Sequence, residues 1–202
     1  MKNISLIIIL SFFTIVSNAQ SRTTKKMLAE IEGQWSLDDN GNVSYLRIIE
    51  VPELSKEKIY TRALSYFIYN YGSGKSVIET KDKELGTIIG KGLYKNIHIS
   101  ESLLTTYINC WHVTRVDVKE GRARVILTLT TYDKNISDGL GYTSNSSVNV
   151  KQSFPINPKA LQRTVMGKTF YKSHLRAILT LDSIEKAIKE GNTSKSLETD
   201  DW

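Results

Sequence analysis

A chain of 202 residues with one cysteine, three prolines and three histidines has few of the residues on which several familiar chemistries depend. The lone Cys110 excludes an intramolecular disulfide, so the fold must rest on an apolar core. In an oxidising compartment such a thiol persists best when buried. Long hydrophobic runs are equally scarce. Ile4 to Val16 is the one such run, shorter than the roughly 18 residues that a membrane-spanning helix requires, and nothing of comparable length follows it. A chain that crosses a membrane with helices is therefore not expected.

That single run is informative where it stands. Lys2 precedes it and the small residues Ser17, Asn18 and Ala19 follow, the pattern of a secretory leader with cleavage between Ala19 and Gln20. No cysteine lies at the cleavage point to be acylated, so the expectation is a soluble protein exported to the periplasm or beyond, not a lipoprotein. The division expected along the chain is a leader over 1–19, one α+β domain over 20–190 and a mobile polar tail over 191–202. Lys and Arg number 27 against 21 Asp and Glu, a mildly basic balance spread along the chain. Spread charge of this kind marks a solvated surface and not a nucleic-acid stripe.

Thr23 to Ile31 has the pattern of a short helix, and Gln34 to Tyr45 that of a hairpin centred on Asn40 and Gly41 as a type I′ pair. Ser44 to Val51 reads as a strand ended by Pro52. Ser55 then caps a helix to about Tyr71, with Ile59, Tyr60, Ala63, Leu64, Phe67, Ile68 and Tyr71 on one stripe and Gly72 to Gly74 as its stop. Strands are expected over Ser76 to Thr80 and Thr87 to Ile99, with a bulge or bend at Gly90 and Gly92.

A turn at Glu120 and Gly121 sets Val118 opposite Ala123, Val116 opposite Val125, Thr114 opposite Leu127 and His112 opposite Leu129. The same register sets Asp117 opposite Arg124 on the other face, a favourable cross-strand charge pair. Asp133 to Ser153 reads as a long loop with an edge strand near Val148 to Phe154. A helix from Asn157-Pro158 to about Glu190 closes the domain, with a break near Gly167 and a stop at Gly191. Leu161, Leu175, Ile178, Leu179, Ile184 and Ile188 are among its expected apolar positions.

The expected fold is thus a curved antiparallel sheet with helices on one face, in the order β-α-β-β-β-β-α after a short hairpin. Gly33-Gln34-Trp35, Asp39-Asn40-Gly41-Asn42, Val51-Pro52, Tyr60-Thr61-Arg62-Ala63, Asp82-Lys83-Glu84 and Ile89-Gly90-Lys91-Gly92, extended by Arg122 to Tyr132, resemble a family of exported bacterial domains of unknown function. That resemblance spans roughly Gly33 to Tyr132 and implies a fold like that of the TATA-binding protein. Glu53 stands where relatives tend to carry Gly. The shared positions are turn and core residues, so the resemblance supplies no catalytic residues, and the fold name implies nothing about DNA.

The linear motifs that carry chemistry fail on context. Gly72-Ser73-Gly74-Lys75-Ser76 has the end of a phosphate-binding loop but Tyr69 where the first glycine belongs, and it follows a helix instead of preceding one. Asp38, Asn40 and Asn42 alternate as calcium ligands do, yet Val43 and Ile49 occupy the glycine and acid positions. His98, Cys110 and His112 are the one set suited to zinc, but their strand face is the apolar one, so they read as core and no metal or cofactor is expected. His174 is expected at the surface or an interface. No Gly-x-Ser-x-Gly elbow occurs, and the acid pairs Asp38/Asp39 and Asp200/Asp201 sit in a turn and a tail, poor places to hold two carboxylates at fixed separation.

The functional expectation is an exported non-catalytic module that binds an envelope protein or ligand, with a hydrolase-type enzyme assembled from distant residues as the alternative. No nucleic-acid partner is expected, and self-association is compatible with the pattern. Strand alternation sends Trp111, Val113, Arg115, Arg124, Ile126 and Tyr132 away from the helices. Trp111, Arg115, Arg124 and Tyr132 are therefore the candidate binding residues.

Overall fold

The computed structural model describes residues 21–71, 77–102, 104–137 and 143–191. The expected leader, the glycine-rich segment after Tyr71 and most of the polar tail lie outside the described residues. Helix α1 (Arg22–Glu30) is followed by a two-residue strand β1 (Ser36–Leu37) and by β2 (Val43–Glu50). Helix α2 (Lys56–Tyr71) leads to β3 (Val77–Asp82), β4 (Thr87–Glu101), β5 (Thr105–Lys119) and β6 (Arg122–Ser137). Strand β7 (Thr143–Asn149), a short 3-10 turn and helix α3 (Arg163–Glu190) complete the α+β fold.

The sheet is antiparallel and open, in the order β1-β2-β6-β5-β4-β3, with β7 also paired to β6. Strand β6 changes partner along its length. Residues 122–129 pair with β2 and residues 131–137 with β7, and the changeover falls at Thr130. All four apolar pairs expected across the β5–β6 hairpin are present, as is Asp117 opposite Arg124. Gly121 takes a φ of +67°, the backbone state that glycine enters without steric cost.

The core lies between the helices and one sheet face, where Val43, Ile49, Ile88, Ile108, Val116, Val125, Leu127 and Leu129 are all essentially inaccessible. Helix α2 begins as expected, the Ser55 hydroxyl accepting from the Lys58 N–H at 3.2 Å. Its buried stripe is Ile59, Tyr60, Ala63, Tyr66 and Phe67, whereas Ile68 is exposed. Four of the five were expected, and the stripe is turned only slightly, toward Tyr66 and away from Ile68.

Several expectations are corrected. The Asn40-Gly41 turn is not type I′: only Gly41 has positive φ, and its N–H bonds the Asp38 carbonyl at 2.8 Å. Most of the expected loop after Asp133 is instead the β6–β7 ladder, whose outer strand is polar on both faces. Beside Gly90 it is β3 that bulges, at Glu79, while β4 is irregular further on, between Tyr94 and His98. Helix α3 starts at Arg163 and runs through Gly167 without a break. A Cβ at Gly167 would lie 2.4 Å from Cγ2 of Thr24, so this glycine lets α1 approach α3 and does not interrupt the helix. His174 is buried, its ring nitrogens each 3.2 Å from the Tyr45 hydroxyl and the Gln34 side-chain oxygen. Leu161, Leu175 and Leu179, expected to support the core, are exposed.

Candidate functional site

The sheet face turned away from the helices carries three of the four candidate residues. On β5 the alternation holds: Trp111 and Val113 are half-buried and Arg115 is exposed, while His112, Thr114 and Val116 are buried under the helices. Tyr132 breaks the expectation. It is fully buried on the helix side, because Trp111 pairs with Thr131 but His112 pairs with Leu129. The extra residue, Thr130, is a β-bulge that inverts the facing of everything after it on β6.

The inversion substitutes one residue for another at the site. Asp133 now lies on the outer face, where its Oδ2 accepts from the Trp111 indole N–H at 2.6 Å and its Oδ1 from the Ser147 hydroxyl at 2.6 Å. The Lys91 ammonium sits 4.9 Å from the centre of the Trp111 ring, close enough for a cation–π contribution. The Trp111 indole is thereby held at its N–H edge by Asp133 and over its face by Lys91. Leu93, Asn109, Asn135, Asn145 and Ser146 complete the open hollow around it.

Nearer the β5–β6 turn the face is basic. Asp117 Oδ1 accepts from Arg115 Nε at 2.8 Å and from Thr87 Oγ1 at 3.1 Å, and its Oδ2 accepts from Arg124 Nη2 at 2.7 Å. Partial burial works against the charged form of Asp117, but the bonds from Arg124, Arg115 and Thr87 together outweigh it and hold the carboxyl below its ordinary range. Lys119 and Arg122 stand beside this group, and both are exposed. Lys119, Arg122 and Arg124 thus line, with Asp117 and Ile48, a depression of about 270 Å³.

The remaining candidates for chemistry are placed elsewhere. His98, Cys110 and His112 are all buried on the helix side. Burial pushes the Cys110 thiol up to about 12 and, with Arg176 adding to it, pulls His112 down to about 3. Burial, then Lys172 and Lys168, takes His98 down to about 4. A protonated thiol and neutral imidazoles at neutral pH suit packing better than proton transfer. No group of three His, Cys, Asp or Glu side chains suited to a metal ion occurs among the described residues. The Asp38 carboxylate is taken up by the backbone N–H groups of Asn40 and Asn42 and by the Asn42 amide, which makes it a turn anchor.

Lys91 and Asp133 were not legible as site residues. The role of Asp133 depends on the bulge, and that of Lys91 on the β4–β5 register, which sets Lys91 opposite Val113.

An open antiparallel sheet with helices on one face is the architecture of TATA-binding-protein-like domains, and the comparisons agree. Residues 45–133 match the model of DUF4468, a domain of unknown function with TBP-like fold. A TBP-like protein from Parabacteroides distasonis is similar at a TM-score of 0.58 and 16% identity, over 76% of this chain and 96% of that one. A DUF4468 family protein from Bacteroides ovatus is similar at a TM-score of 0.53 and 16% identity, over 81% of this chain and 95% of that one. Curated proteins offer no match. No described helix is long and apolar enough to cross a membrane.

Proposed function

We propose that this protein is an exported, non-catalytic binding module that holds an acidic partner in the cell envelope against the outer face of its sheet. The observation that carries the reading is the excess of cations over carboxylates on the outer face, Arg115, Lys119, Arg122 and Arg124 against Asp117 and against Glu50 opposite Arg122, beside an oriented Trp111 and with no helix packed over it among the described residues. A cationic rim favours encounter with anionic groups, and a fixed indole supplies apolar area at low entropic cost. The carboxyls displaced from their ordinary range, Asp38, Glu57, Asp117 and Glu185, all move down, toward permanent charge. That direction suits ion pairing and turn anchoring better than proton donation by a hydrolase.

Affinity capture from the envelope fraction tests the reading. The chain retains an acidic component that a Lys119→Glu, Arg122→Glu variant loses at unchanged thermal stability, since neither side chain holds Asp117. Equal retention by both proteins would remove the basis of the proposal. Export is tested separately by the intact mass of the protein that accumulates, expected to begin at Gln20.

A further inference from the structure

We infer that two copies of this chain pair through the open edge of β2, antiparallel about a two-fold axis at Ile48. Strand β1 covers only the positions opposite Val43 and Ser44, and among the described residues nothing pairs with β2 on that side from Tyr45 onward. The chain departs from the lane because Trp35 packs edge-on against Phe170, with ring centres 5.4 Å apart, and Gln34 is engaged by the Glu30 carbonyl and His174.

The carbonyls of Asn42 and Ser44 point into this lane, where they accept from the Asp38 N–H and the Ser36 hydroxyl. By strand alternation the N–H and C=O groups of Leu46, Ile48 and Glu50 do the same. Beyond β1 the lane widens into a groove of about 390 Å³ between Trp35, Leu46 and Ile178. Leu37, Leu46 and Ile48 are 51%, 64% and 48% exposed along it, and Leu175 and Leu179 are exposed beside Ile178 on α3. Of the twelve exposed large apolar residues among those described, these five gather at one edge. An edge whose free backbone groups stand among exposed apolar side chains is a template for another strand.

Charge and length select the occupant. The cation at this edge is Arg47, already bonded to Asp182 at 3.0 Å and Glu185 at 2.6 Å, so an incoming strand must be apolar at its centre and bring no cation opposite Arg47. Strand β2 meets both conditions in one register. With Ile48 opposite Ile48 of the second copy, Arg47 faces Ile49, Leu46 faces Glu50, and all the lane-facing backbone groups meet one another. Shifting the axis to Arg47 sets two guanidinium groups face to face. The length also matches, because the free stretch 46–50 is centred on Ile48 and pairs with itself.

Beyond it the incoming strand must turn away before it meets β1. It does so, since Pro52 has no N–H to donate and Val51 instead bonds the Gly121 carbonyl at 2.8 Å. Five residue pairs make a small interface, so the dimer is a weak one that dissociates on dilution.

The test is sedimentation of the purified protein over a concentration series, with Ile48→Lys and Ile48→Cys variants of unchanged far-UV spectrum and melting temperature. The wild-type chain should shift from monomer to dimer. Ile48→Lys, which places two ammonium groups opposite each other, should weaken association by about tenfold or more. Ile48→Cys should yield a disulfide-linked dimer on oxidation, because directly opposed residues lie within disulfide reach and Cys110 is too buried to compete. A chain that stays monomeric throughout, including one whose edge amides are protected from hydrogen exchange by its own terminal segment, overturns the inference. So does a dimer that Ile48→Lys leaves intact. Occupation of the edge by a strand of a different protein, with no self-association, overturns it as well.

Discussion

The indole N–H of Trp111 and the carboxylate of Asp133 meet at 2.6 Å only because Thr130 is an extra residue in β6. In the unbulged register Asp133 would face the helices, where a carboxylate would be buried without this partner. The bulge thus moves one charge out of the core and one phenol, that of Tyr132, into it.

Replacing Asp133 by Ala leaves both the Trp111 indole and the Ser147 hydroxyl without their acceptor. Both donors retain access to water, so the expected cost is about 1–2 kcal/mol and not the full penalty of a buried orphan. Urea unfolding gives the value, and the Trp111 emission should shift as its surroundings become wetter. A cost near zero would mean that the bond does not persist in solution.

The three buried histidines set an acid limit on stability. His98, His112 and His174 are all depressed below their ordinary value, chiefly by burial. Between the folded and unfolded values the unfolded chain binds protons that the native state does not, so stability falls as pH is lowered. The loss begins below about pH 6.5 and continues to about 4 for His98 and about 3 for His112. His112 lies stacked on Tyr94 at 4.0 Å and contributes a slope of up to about 1.4 kcal/mol per pH unit. A His112→Gln variant should show a correspondingly shallower fall between pH 6 and 4 in urea titrations.

Alanine at a mid-helix glycine normally stabilises by about 1 kcal/mol, but at Gly167 the opposite is expected. The new Cβ would fall 2.4 Å from Thr24 Cγ2 and 3.3 Å from the Phe154 ring. Thr24 is fully buried and its hydroxyl is engaged by Ser21, so it has little room to move. Gly167→Ala should cost about 1–3 kcal/mol. Thr24→Ser removes the obstructing methyl while keeping the hydroxyl, and should recover most of that loss in a double-mutant cycle. Additive effects would mean that α1 and α3 are not in close contact.

What the sequence disclosed depended on having two constraints on one element. The β5–β6 hairpin could be registered because the Glu120-Gly121 turn and the Asp117–Arg124 pair pointed to the same alignment, and the outward facing of Trp111, Arg115 and Arg124 followed from it. Tyr132 did not, since the bulge falls within a run of threonines, any one of which fits a strand equally well. Strand β7 was hidden because neither of its faces is apolar. His174 and Leu175 exchanged their expected places, as a polar side chain with two hydrogen-bond partners, Tyr45 and Gln34, occupies the core side of α3. The β2 edge escaped notice because its exposure follows from where β1 stops, a consequence of the distant contact between Trp35 and Phe170.

Asp117 separates the structural role of the outer face from its binding role. Its side chain is 16% exposed and bonds Arg115, Arg124 and Thr87, so Asp117→Asn weakens three interactions at once. Both arginines are about half exposed, which limits their contribution through solvent screening, and the expected loss of stability is about 1–2 kcal/mol. The same substitution adds one net positive charge to the face and releases two guanidinium groups from their internal acceptor. If the face receives an acidic partner, retention should strengthen as stability falls, and both effects should shrink at high salt. The two readouts then move in opposite directions, which a merely destabilised fold cannot produce. Capture assays paired with thermal melts decide it: retention that declines in step with melting temperature assigns Asp117 and its arginines to holding the sheet together and leaves the partner to another surface.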